Sequence, residues 1–131
     1  MSHTKKDLVN FRIQRAYDTL QTARTVTSSG DDWNTVANRL YYASFYAVLA
    51  LLAEHELDTY THKGVKTMLS QHFIRSGLLD AGWGKLYQKL FDSRTEADYE
   101  DFAIFTADDV LPLLPQTEAF IDVIKHLIDK P

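Results

Sequence analysis

The sequence lacks cysteine altogether and has only three prolines and five glycines in 131 residues. The absence of cysteine excludes disulfides, thiolate metal sites and cysteine nucleophiles. No apolar run follows the first residues, so we expect no signal peptide, and a chain without cysteine fits a reducing cytoplasm. The longest apolar stretch is 41–53, interrupted only by Ser44. It is shorter than the ~20 residues that a membrane-spanning helix needs, so it predicts a buried core helix and no membrane association.

A basic excess is also missing. The chain has fourteen Lys and Arg residues and eighteen Asp and Glu residues, which gives a formal net charge of -4. Dedicated nucleic-acid-binding domains usually carry a positive surplus that neutralises phosphates. Any binding of RNA or of a nucleotide must therefore depend on a local patch. The sequence also contains no glycine-rich phosphate loop, nucleophile elbow or zinc motif, so it predicts no cofactor and no metal.

Helical periodicity is abundant, whereas alternating strand patterns are scarce. One apolar stripe on a first helix, roughly 5–28, consists of Val9, Ile13, Ala16, Leu20 and Ala23. Further helices are predicted at about 33–54, from 61 or 62 to about 76, at about 81–97, and in a last segment that ends near 128. The start of the last helix is blurred because Pro112 and Pro115 would each break a helix interior. Pro115 in the first turn, preceded by a separate short turn, is the cleanest solution.

This pattern predicts an all-α fold: a single domain over residues 1–131, folded as an antiparallel up-and-down four-helix bundle with a short accessory fifth helix. Several aromatic side chains look hard to bury together in one small bundle: Trp33, Tyr46, Trp83, Tyr87 and Phe105. Exposed apolar patches usually mark an interface, and two-fold dimers are the commonest assembly, so we expect a homodimer.

The densest polar motif is the segment 38–45, Asn-Arg-Leu-Tyr-Tyr-Ala-Ser-Phe. Arg39 and Tyr42 of this motif can be interpreted in two ways. In a functional interpretation, both side chains face a ligand. In a structural interpretation, Arg39 is a buried charge that pairs with a carboxylate across the bundle, as buried charges require.

A second motif is the segment 94–99, Arg-Thr-Glu-Ala-Asp-Tyr. Arg94 and Asp98 are four residues apart, so they can pair on one helix face. Alternatively, Asp98 could hold Arg94 toward a phosphate, which suits the planar guanidinium.

His62 and Lys63 come at the predicted start of the third helix, where free backbone N–H groups favour an anion. A helix cap with a solvated lysine is the plainer interpretation. His55, Asp58 and His62 have no tight ligand spacing, so a metal site is not expected there. The acidic stretch 96–109, which has no Lys or Arg, is interpreted as a solvated loop.

Taken in order, four motifs make the chain resemble the HEPN superfamily, in a small bacterial and archaeal branch. They are Arg39-x-Tyr-Tyr-Ala-x-Phe, His62-Lys63-Gly64, Phe73-x-x-x-Gly77-Leu-Leu and Arg94-x-x-Ala-Asp98-Tyr99. The resemblance extends from about Leu8 to about Leu127. It implies a four-helix bundle core, frequent homodimers, and frequent pairing with a minimal nucleotidyltransferase in toxin–antitoxin operons. It also implies kinship with metal-independent ribonucleases, whose site joins an Arg to a His that follows it after four to six residues.

The chain departs from that ribonuclease pattern. No Arg has a His five to seven positions later, and Arg94 is followed by Tyr99 at the fifth position. A histidine titrates near neutral pH, whereas a tyrosine has a pKa near 10, so Tyr99 is a poor base. We therefore expect a binding or regulatory component of a nucleotidyltransferase–HEPN pair. The alternatives are an endoribonuclease that uses Arg94 and Tyr99, and a structural dimer without a ligand.

Overall fold

The computed structural model describes residues 4–59, 61–99 and 105–130, with the backbone alone for 95–99. Helices occupy most of these ranges, and no strand occurs within them, as the sequence predicts. The helices are α1 (Lys5–Ser29), α2 (Trp33–Glu54), α3 (His62–Leu69) with a π-helical extension (Ser70–Ile74), α4 (Ala81–Tyr99), α5 (Ala107–Val110) and α6 (Leu113–Asp129).

Short polar side chains fix where the first two helices begin and end. Thr4 and Asp7 form a reciprocal capping box at the start of α1. Gly30 ends that helix at φ +74°, a left-handed conformation that costs glycine little. Two residues later, the Asp32 carboxylate accepts the Thr35 N–H at 3.1 Å and caps α2. This short connection places α1 and α2 side by side as antiparallel neighbours.

Helix α2 is the centre of the molecule, because it packs against every other α-helix. Small residues on it allow this close approach: Ala43, Ala47 and Ala50 are completely buried. By length and composition the helix could cross a membrane, but 67% of its apolar window is buried inside the bundle. That burial is what a core helix shows. The predicted stripe of α1 packs on it and is buried at all five positions.

The third predicted helix differs in its second half. The α-helical hydrogen bonds end at Leu69, and the Arg75 N–H bonds the carbonyl of Ser70, five residues earlier, at 2.9 Å. This wider turn still keeps Phe73 in the core, where it is 1% exposed. Apolar spacing cannot distinguish one π turn from α-helix, so the sequence did not show it.

Pro112 and Pro115 lie at the positions that the sequence predicts. α5 is the separate short turn, opened by a capping box between Thr106 and Asp109. Pro112 precedes α6, and Pro115 is in its first turn, where a missing N–H costs nothing. The C-terminal helix then buries Leu113, Phe120 and Ile124.

The aromatic residues on which the expected dimer depended are better covered than we expected. Tyr87 is 1% exposed, and the other four, Trp33, Tyr46, Trp83 and Phe105, are half-buried against the core. The large apolar side chains that the described residues do expose are Leu8, Phe11, Leu78 and Leu111. The homodimer therefore stays a prediction, without those five aromatics as its support.

A substitution in α2 tests the close packing of this helix. Ala47→Leu adds three carbons at a site with no exposure. We expect it to lower the free energy of unfolding by about 1–3 kcal/mol, the usual cost of overpacking. Ala119→Leu, on the exposed face of α6, is the matched control and should change it by less than about 0.5 kcal/mol. Urea titration followed by circular dichroism measures both, and equal effects would contradict this account of α2.

Candidate functional site

The first half of α2 has one face in the core and another at the surface. Tyr41 points inward and is completely buried. Arg39, Tyr42 and Tyr46 are half-buried and follow one another at the three- and four-residue spacing that aligns side chains on a helix. The same helix therefore supplies a buried phenol and a partly exposed polar row.

Tyr41 connects the core to the start of α3. Its hydroxyl lies 2.9 Å from Nδ1 of His62. Thr61 caps α3 by accepting the Gly64 N–H at 2.9 Å, which fixes the position of His62 in the first turn. Burial, opposed in part by the nearby charge of Arg94, raises the pKa of Tyr41 to about 12. The phenol thus keeps its proton at neutral pH. When it is the donor to Nδ1, neutral His62 carries its own proton on Nε2.

Two guanidinium groups flank the ring of Tyr42. Nη2 of Arg94, on α4, donates to the Tyr42 hydroxyl at 3.3 Å. The central guanidinium carbon of Arg39 lies 5.1 Å from the centre of the same ring, and that of Arg94 lies 5.7 Å from it. These are cation–π distances, so the ring helps to hold two cations near each other despite their repulsion.

His62 completes the group. The centre of its ring lies 5.6 Å from that of Tyr42 and 4.6 Å from that of Phe45. We call Arg39, Tyr42, His62 and Arg94 the Tyr42 cluster. It combines two guanidinium groups, a phenol and an imidazole, all half-buried, from α2, α3 and α4. Such donors suit an oxyanion, and the guanidinium fork suits phosphate above all.

The structure gives Arg39 a different partner from the expected carboxylate. Its Nε and Nη2 both donate to the side-chain oxygen of Asn38, at 3.0 and 2.8 Å. Within the described part of the chain, no carboxylate lies within ion-pair distance of Arg39. The residue is half-buried, not buried, so its charge stays partly hydrated without a salt bridge.

Three other predicted site residues lie outside the cluster or cannot be placed in it. Lys63 is exposed in the first turn of α3, with no described contact to the cluster. The backbone of Asp98 and Tyr99 belongs to α4, but their side chains lie outside the described residues. The predicted pair of Arg94 with Asp98, and the role of Tyr99, therefore stay predictions.

His55 and His62, which we considered as metal ligands, point to different neighbours. The ring of His55 packs edge-on against Phe73, with centres 5.0 Å apart, whereas His62 bonds Tyr41. Across residues 4–59, 61–94 and 105–130, no three His, Asp or Glu side chains lie close enough to share a metal ion.

Sequence reasoning placed His62 in the candidate set but missed its link to Tyr41. The two residues are 21 positions apart and on different helices. A search for a histidine downstream of an arginine on the same helix cannot find a histidine that a neighbouring helix supplies. Two features of the sequence could have indicated the contact: the phenol of Tyr41 within the apolar run 41–53, and the position of His62 at a capped helix start.

Comparison with known proteins identifies relatives of this chain. The family model for the HEPN domain matches residues 9–127. A "UPF0332 protein" of Thermotoga maritima is 30% identical over 125 residues, covering 95% of this chain and 94% of its own. One of Archaeoglobus fulgidus is 28% identical over 124 residues, 95% of this chain and 98% of its own. A protein of Methanocaldococcus jannaschii named "Putative toxin MJ0142" is 28% identical over 119 residues, 90% of this chain and 80% of its own.

Proposed function

The chain belongs to the HEPN domain family, and on that premise we propose that it is a toxin–antitoxin-type HEPN protein whose Tyr42 cluster binds a phosphate group of RNA or of a nucleotide. The observation that carries the proposal is the approach of Arg39 and Arg94 to one ring, beside His62. In a chain with a net charge of -4, two arginines on one half-buried ring form the local patch that phosphate binding requires.

Each member of the cluster has a part in this function. Arg94 and Arg39 donate to the phosphate oxygens, and charge-assisted hydrogen bonds of this kind are the stronger ones. His62, whose Nδ1 contacts Tyr41, adds an imidazole beside the two arginines. The rings of Tyr42 and Phe45 give a base or ribose an apolar surface beside the phosphate. A nucleotidyltransferase partner belongs to the same proposal, with this chain as its binding or regulatory component.

Substitution of Arg94 tests phosphate binding directly. Arg94→Ala should weaken binding of a labelled single-stranded RNA roughly 10- to 100-fold, because a hydrogen bond to a charged group contributes about 1.5–3 kcal/mol. Arg94→Lys keeps the charge and loses the planar fork, so its affinity for RNA should lie between those of wild type and Arg94→Ala. Fluorescence anisotropy at low salt measures all three proteins.

Arg75→Ala is the control for this comparison, because Arg75 is exposed beyond the π-helical turn, at the far end of the α3 segment from His62. It should bind as wild type does. Equal weakening by Arg75→Ala and Arg94→Ala would mean that only overall charge matters. Unchanged binding by Arg94→Ala, with the protein folded by circular dichroism, would contradict the proposed site.

A metal-independent endoribonuclease is the second candidate, and the position of His62 favours it. The expectation of a pure binding role depended on the lack of a histidine near Arg94. The structure brings His62 to within 5.6 Å of the ring whose hydroxyl Arg94 bonds, measured between ring centres. Imidazole is the side chain best suited to proton transfer near neutral pH.

Incubation of single-stranded RNA without metal separates the two candidates. The binding role predicts no cleavage above that of RNA in buffer. Cleavage by wild type that His62→Ala and Arg94→Ala abolish, but the exposed His72→Ala does not, would establish the ribonuclease. Tyr99→Phe tests whether Tyr99 takes part in cleavage, as the ribonuclease alternative predicts. A positioned acid or base contributes typically 10²- to 10⁴-fold, so gel analysis resolves its loss.

A further inference from the structure

A second cation–aromatic pair lies next to the Tyr42 cluster and is not used by the function proposed above. The guanidinium carbon of Arg15, on α1, is 4.2 Å from the centre of the Tyr46 ring, on α2. This is the shortest cation–π distance among the described residues. Arg15 is exposed, and in the described part of the chain no carboxylate lies within ion-pair distance of it. Its guanidinium is thus available to a ligand, while the ring fixes its position.

The Arg15–Tyr46 pair adjoins the Tyr42 cluster through its ring. Tyr46 follows Tyr42 by one helical turn, and the centres of their rings are 6.1 Å apart. Arg15, Tyr46, Tyr42 and Arg94 therefore form a row in which two aromatic rings lie between two cations. Aromatic rings flanked by cations are suited to single-stranded nucleic acid, since bases stack on rings and phosphates bind arginines.

We infer that Arg15 and Tyr46 form a second subsite, so that the ligand of the Tyr42 cluster is a single-stranded oligonucleotide that spans both pairs and not a mononucleotide. The inference rests on the proposed function, because it assumes that the Tyr42 cluster binds one phosphate. Tyr42 and Tyr46 are four residues apart, so they are separated by about 6 Å along α2, more than the ~3.4 Å rise of one nucleotide in a stacked strand. A partly unstacked strand can thus place successive bases on the two rings, with its phosphates toward the arginines at the ends of the row.

The positive charge of the row favours an oligonucleotide as its ligand over a second copy of the chain. In a two-fold dimer the same patch meets itself, so a contact centred on this row would bring arginines against arginines. A polyanionic strand instead neutralises both ends. The rings of Tyr42 and Tyr46 are half-buried, which leaves an edge or face of each for a base.

Binding of ligands of graded length tests the inference. We would compare uridine monophosphate with uridine di-, tetra- and octanucleotides by anisotropy and calorimetry. Wild type should bind the tetranucleotide at least tenfold more tightly than the monophosphate. Arg15→Ala should remove about tenfold from tetranucleotide binding, lower the slope of log affinity against log salt by about 0.7, and leave monophosphate binding unchanged. Because Arg15 is exposed, this variant should fold normally.

Arg75→Ala serves as the control, since it removes an exposed arginine outside both subsites. It should bind as wild type does. If wild type binds the monophosphate and the tetranucleotide equally, or if Arg15→Ala leaves tetranucleotide binding unchanged, the second subsite is wrong and the Tyr42 cluster still stands. If wild type binds none of these ligands, both fail. If Arg15→Ala changes the mass in light scattering instead, a second copy covers the row, and the inference is overturned.

Discussion

The hydrogen bond between the Tyr41 hydroxyl and Nδ1 of His62 is the contact on which the candidate site depends. It joins the buried face of the central helix to the first residue of α3. Burial keeps the phenol protonated, so this hydroxyl can be the donor to Nδ1, which leaves the proton of neutral His62 on Nε2. Without it, the imidazole of His62 would lose a contact that holds it beside Tyr42 and the two arginines.

The central helix can have this role because its two faces have different tasks. Alanines at 43, 47 and 50 let the neighbouring helices approach closely, so α2 is held from several sides. A helix held in this way keeps its outer face in place as well. Arg39, Tyr42 and Tyr46 are thus fixed by packing on the adjacent side of the same helix. Sites on such rigid elements are more precise than sites on loops.

Local patterns in the sequence predicted most of the fold. Three patterns each have one solution that satisfies backbone hydrogen bonding and burial: the stripe of α1, the apolar second half of α2, and the two prolines at the start of α6. The π turn at Ser70–Ile74 was not predicted, because one extra residue in a turn leaves the apolar spacing almost unchanged. The degree of burial of Tyr87 was also misjudged, since it depends on how α4 meets α2.

The candidate site was harder to predict than the fold. Arg39, Tyr42, His62 and Arg94 were all recognised as candidate residues, but their proximity depends on three helices meeting. The partner of Arg39 proved to be the neighbouring Asn38, which no rule of charge pairing predicts. The contact of Arg15 with Tyr46 joins α1 to α2 and carries no sequence motif.

Imidazole nitrogen NMR tests the central claim most directly. Long-range ¹H–¹⁵N spectra of wild type at neutral pH should show His62 with a bare Nδ1 and a protonated Nε2. Addition of uridine monophosphate should shift the His62 nitrogens and leave those of the exposed His72 and His126 in place. A proton on Nδ1 of neutral His62, or shifts of His72 and His126 as large as those of His62, would contradict the account.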